Sequence, residues 1–228
     1  MLSKKWEEFN ELQGKCYLNM IGSEKDGNCW SKAFELMKEI VIEERKADPT
    51  FGSKLEILDD VTDYVHDIQG WLEDCLDEAA IREEYDILLK MCDSLLELFN
   101  WTKYTDTDIK FIKAETLQNL GKTKESVEFC EEWMRNEPEN IIAATAGVYA
   151  FINVREYNKA EKLIEYFIMD KSECNDDNMV MFIAASKLYK AMGKKKEKKE
   201  VDKALKQYDK SVQEYFTNFD EEDELPFF

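Results

Sequence analysis

Apolar residues recur at helical spacing along most of this chain. Trp30, Ala33, Phe34, Met37 and Val41 fall at i, i+3, i+4, i+7 and i+11, one face of a helix that Asn28 or Ser31 caps after the turn Asp26-Gly27-Asn28. Trp6 to Met20 reads as the helix before it, and Asp48-Pro49 as the stop after it, because the residue ahead of a proline is driven out of the helical region. From Ser53 onward Leu55, Leu58, Val65, Ile68, Leu72 and Leu76 keep a helical period through Gly70. That segment predicts one long helix, or two broken at Gly70.

The pattern then turns into hairpins. A helical stretch runs into Leu120-Gly121-Lys122-Thr123, a second helix follows, and Asn136-Glu137-Pro138 closes it: helix, glycine turn, helix, proline. The outline returns 34 residues on, with Ile141 to Val154 as helix, Arg155-Glu156-Tyr157-Asn158-Lys159-Ala160 as turn and restart, and Glu161 to Met169 continuing. A further copy runs from Met179 to Tyr189, turns at Met192-Gly193 and continues from Glu197 to Tyr208, after a loop lengthened at Glu173 to Asn178. An earlier one ends its first helix near Ala79 or Ala80 and has Glu83 to Phe99 as its second.

These units resemble the tetratricopeptide repeat family, in which a 34-residue helix–turn–helix stacks on its neighbours. Residues 107–140 carry the clearest match, with Gly121 and Pro138 at the turn and closing positions, and Tyr157 and Ala160 give the family's aromatic-then-Ala pairing. Lys110 and Lys113 depart from it, standing where the family packs large apolar residues, and Ile109, Ile112, Leu117 and Leu120 supply the apolar face instead. The resemblance implies an all-α fold, an alpha-alpha superhelix: a TPR-like solenoid of about four to five helical hairpins. Residues 1–68 form a divergent N-terminal hairpin and lead-in helix, 69–216 the repeats (69–106, 107–140, 141–178 and 179–216), and 217–228 an acidic, aromatic tail expected to be extended.

Charge narrows the partners. With 50 acidic against 31 basic residues the net charge is −19, which opposes binding to nucleic-acid backbones and anionic membranes and favours a basic partner. The acids cluster: residues 56–86 hold twelve against the single base Arg82, whereas residues 187–210 hold ten Lys against four acids. Two such faces suit capture of a basic protein or peptide, or head-to-tail self-association. The charged N-terminal stretch is no signal peptide, and the uncharged run from Ile141 to Val154 is too short to span a bilayer. Six cysteines without a C-x-x-C pair suit buried free thiols in a reducing cytoplasm.

Candidate chemistry is sparse. Neither GxxxxGK[ST] nor GxGxxG occurs, so no nucleotide cofactor is expected. A hydrolytic or metal site would have to use His66, the lone histidine, with Asp59, Asp63 and Asp67, which share a face if the segment is helical. One such motif falls short of the several that a carboxylate-bridged metal site in a helix bundle needs, and no catalytic or metal residue is expected.

The resemblance instead points to a concave groove on the first helices, where the family register exposes Phe111, Glu115 and Asn119, then Thr145, Tyr149, Ile152 and Asn153, then Ile183, Lys187 and Lys190. Such a floor suits a helix or an extended peptide. The carboxylate clamp of the family's co-chaperones is missing, since its positions carry Phe111, Glu115, Ala146, Val180 and Ile183. A peptide-sensing regulatory role is a lesser alternative, because residues 1–50 lack the basic recognition helix such regulators carry. Phe227 and Phe228 could also dock in the chain's own groove, with the acids at 220–224 against Lys187, Lys190 and Lys194.

Overall fold

The computed structural model describes residues 2–103 and 105–222. Among them are ten α-helices, two single-turn 3-10 helices and no strand, so the fold is all-α. The chain divides into two compact units, 1–120 and 121–228, with the boundary inside the 107–140 hairpin.

The first unit holds α1 (Leu2–Met20), α2 (Cys29–Ala47), α3 (Ile68–Ile81), α4 (Tyr85–Leu98) and α5 (Thr107–Asn119). Helix α2 packs on α1, α3 and α4, and α4 packs on α5. The apolar stripe of α2 lies fully in the core, where Trp30 stacks on Trp71 of α3 at 6.4 Å and Phe9 of α1 meets Trp71 edge-on at 5.1 Å. Aromatic pairs in these geometries contribute about 0.5–1.5 kcal/mol beyond the area they bury.

Residues 53–67 correct the helical expectation. They contain only the 3-10 turns Leu55–Ile57 and Asp60–Thr62, and Asp63, Tyr64 and Asp67 adopt left-handed φ of 53°, 56° and 42°. A continuous helix cannot pass through such residues, since each reverses the local twist. The helix forms only from Ile68, and Gly70 lies inside its first turn without breaking it.

Arg45 holds this irregular stretch in place. Its guanidinium donates to the carbonyls of Phe51, Gly52 and Leu98 and lies over the Phe99 ring. The Asn100 N–H adds a 2.7 Å bond to the Ser53 carbonyl. Together they tie the segment after α2 to the end of α4.

The second unit holds α6 (Thr123–Asn136), α7 (Ile141–Asn153), α8 (Tyr157–Phe167), α9 (Met179–Met192) and α10 (Lys195–Glu222). Helix α7 packs on α6, α8 and α9, α9 on α8, and α10 on α9. The Asn140 side chain caps α7 by accepting from the Ile142 and Ala143 N–H groups at 2.9 and 3.2 Å. Gly147 of α7 makes room for the Met134 side chain of α6, whose sulfur would stand 2.8 Å from an added Cβ. Gly193 ends α9 at φ +71°, the left-handed cap glycine adopts without a Cβ clash.

The tail also departs from expectation, because α10 remains helical to Glu222 rather than yielding near Thr217. The docking of Phe227 and Phe228 lies outside the described residues. No helix among those described is long and apolar enough to cross a membrane.

Candidate functional site

The turn around His66 gathers the lone histidine and several acids. Residues 59–67 hold only a single 3-10 turn and three left-handed residues, so Asp59, Asp63 and Asp67 do not share a helical face. Asp59 is buried, and its carboxylate accepts from the Ile68 and Gln69 N–H groups at 2.6 and 3.0 Å, so it caps α3. The His66 ring stacks on Trp6 at 4.3 Å, and its Nδ1 lies 2.7 Å from Asn10 Oδ1. Its backbone carbonyl accepts from Gln13. Burial pushes the imidazole below its ordinary pKa, with Asp59 pulling weakly the other way. Among the described residues no group of three or more His, Cys, Asp or Glu side chains is placed to hold a metal ion. Asp59 and His66 thus have structural uses, the first capping α3 and the second stacking on α1 and joining it to the 66–68 turn.

The proposed groove residues divide between the units. On α5, Phe111 is half-buried while Glu115 and Asn119 are exposed, at the four-residue spacing of one helical face. On the other unit, packing of α7 against α9 places Lys187 Nζ 4.6 Å from the centre of the Tyr149 ring. Ile183, one turn before Lys187, is 45% exposed, and Asn153 and Lys190 are exposed beside the half-buried Ile152. Thr145 is a correction: it is 2% exposed and its hydroxyl donates to the Ile141 carbonyl at 2.8 Å, so it offers no surface to a partner. The α7–α9 face is thus apolar at Tyr149, Ile152 and Ile183 and basic at Lys187 and Lys190.

A second candidate surface lies in the first unit, where sequence spacing gives no sign of it. The first unit has a cleft of about 590 Å³ between α3, α5, the end of α4 and the segment that Arg45 pins. Its floor is Leu72, Leu76, Leu95 and Ile109, all buried, with Leu55, Trp101 and Ile112 half-open at the walls. The Trp101 indole donates to the Leu95 carbonyl at 3.2 Å, which fixes the ring against the floor. Glu56, Glu73, Asp77 and Asp108 stand exposed at the rim. The ion pairs of this unit use other acids, such as Glu78 with Arg82, Asp106 with Lys110 and Asp93 with Lys113. Among the described residues no cation pairs with the four rim carboxylates. Glu56, Glu73 and Asp77 belong to the acid-rich run read from the sequence, but the apolar floor and walls together draw on residues up to 57 positions apart, from Leu55 to Ile112.

All six cysteines are free, and five are buried. Burial pushes the thiols of Cys75, Cys92 and Cys130 up to about 12, which keeps them protonated and unreactive at neutral pH.

In comparisons with known proteins, no family model matches the sequence, and no curated protein or solved structure matches it.

Proposed function

We propose that the chain is a protein-binding scaffold or adaptor built from tetratricopeptide-like hairpins. The observation that carries this reading is the order of packing in the second unit. Successive first helices, α7 and α9, lie side by side, and each is flanked by the second helix of a hairpin. That is the local arrangement from which an alpha-alpha superhelix grows. The free cysteines suit a cytoplasmic setting.

The binding surface under this reading is the α7–α9 face, where Tyr149, Ile152 and Ile183 would meet apolar side chains and Lys187 and Lys190 would pair with acids. The test uses the tagged full chain as bait in extracts of its native cell, beside the double variant Ile183→Asp, Lys187→Glu. Both positions are exposed, so the melting temperature should stay within about 2 °C of the parent. A partner held by the parent and lost by the variant supports the scaffold. Capture of the same proteins by both removes the α7–α9 face from the reading, and capture of none by the parent sinks it.

A further inference from the structure

We propose that the cleft of the first unit binds an amphipathic helical segment of another protein, with two or three large apolar side chains on one face and Lys or Arg beside them. This stands independently of the α7–α9 face. Three properties of the cleft select that occupant.

The floor is apolar and long. Leu72 and Leu76 repeat along α3 in step with Glu73 and Asp77, and Ile109 and Ile112 do the same on α5. From Gln69 to Asp77 the α3 wall runs about 12 Å at the helical rise of 1.5 Å per residue. That is two turns of a docked helix, enough for anchors at i, i+3 or i+4, and i+7.

The rim has one sign. Four exposed carboxylates border apolar surface, and among the described residues none is neutralised by an ion pair. A cationic side chain reaching from the occupant would meet one of them on α3, α5 or the 53–56 segment. An acidic occupant would add like charge at each contact, which opposes docking.

The two segments of this chain that come nearest in charge or position do not fit. Residues 217–228 carry Asp220, Glu221, Glu222, Asp223 and Glu224, the wrong sign for this rim. The Lys-rich first half of α10 has the right sign, but its apolar stripe, Val201 and Ala204, is already buried on the second unit's core. A second copy could therefore insert α10 only by unpacking it.

The experiment measures fluorescence anisotropy of the full-length protein with a labelled synthetic helix of about 14 residues, Leu at i, i+3, i+4 and i+7 and Lys at the remaining polar positions. An equal-length peptide with Glu for Lys is the charge control. Glu73→Lys, Asp77→Lys should weaken the Lys peptide about tenfold or more. Glu7→Lys, Glu11→Lys makes the same charge change on exposed positions of α1 outside the cleft and should alter binding by no more than about twofold.

Hydrogen exchange should show peptide-dependent protection within 69–77 and 105–112, and the Glu peptide should give neither binding nor protection. Equal weakening by both double variants would reveal adsorption to the acidic surface at large and overturn the proposal. So would protection confined to other helices. Phenethylammonium, a small aromatic amine, is the remaining probe: if it binds as tightly as the peptide and protects the same segments, the cleft is a small-cation pocket and the helix assignment fails.

Discussion

Replacing Asp59 by Ala tests whether the acids before α3 serve structure. Asp59 is 4% exposed, and its carboxylate accepts two N–H groups from the first turn of α3, Ile68 at 2.6 Å and Gln69 at 3.0 Å. No side chain at the helix's own N-cap position, Asp67, makes this cap. Removing the carboxylate leaves both donors without their acceptor, the Ile68 N–H at a buried site. Each unsatisfied buried donor costs about 1–3 kcal/mol. The Gln69 N–H is only partly buried and belongs at the low end. Loss of a negative charge at the helix N-terminus adds about 0.3–1 kcal/mol. The total is about 3 kcal/mol, or about 10 °C in melting temperature for a unit of this size. Asp59→Asn keeps one acceptor oxygen and loses the charge, so about half that loss is expected.

Trp6, Trp30, Trp71 and Trp101 all lie in the first unit, so tryptophan fluorescence during urea unfolding reads mainly that unit. Hydrogen exchange at Ile68 and Gln69 gives the local readout, and both amides should lose protection ahead of the rest of α3. An Ala variant within about 0.5 kcal/mol of the parent, with those two amides still protected, would refute the capping account.

The pH dependence of stability carries a signature of His66. Burial holds its folded pKa below the ordinary value, so the unfolded chain takes up a proton first, and stability falls as pH drops from near the ordinary pKa toward the folded one. Between about pH 8 and pH 5 the parent's urea midpoint should fall more than that of His66→Gln, and parallel curves would contradict the assignment. Thiol accessibility gives a third check: in the native protein at about pH 7.5, Ellman's reagent should react first at half-exposed Cys174, and the five buried thiols should need urea. Fast reaction of two or more thiols without denaturant would mean that the cores open readily.

The helices were legible where one physical signal dominated. Trp30, Ala33, Phe34, Met37 and Val41 mark α2 because a buried face must repeat every three or four residues, and all five are buried. The turns at Gly121 and Gly193 were legible because a left-handed residue there favours glycine, and both have positive φ.

The same signal failed over 53–67. Leu55, Leu58, Val65 and Ile68 sit at nearly helical spacing, yet only Leu58 and Ile68 reach the core, whereas Val65 is 67% exposed. Hydrophobic spacing counts residues without knowing which of them are buried. What decides the backbone here is polar and non-local: Asp59 reaches forward to cap α3, and Arg45 gathers three carbonyls from two separate segments. Thr145 misleads for a related reason, since its hydroxyl turns back to the Ile141 carbonyl and the residue can be buried as though it were apolar.

The cleft follows the same logic. Its acids could be counted along the chain, but whether they surround solvent or an apolar floor depends on α3 lying across from α5, with α4 packed on both and Arg45 holding the 51–52 backbone to the end of α4. A run of acids is a solvated face until packing puts leucines and a tryptophan among them. The case for a basic amphipathic occupant therefore rests on the acids and the apolar floor together, and a change that closes the floor without touching the acids should abolish binding as fully as reversing their charge.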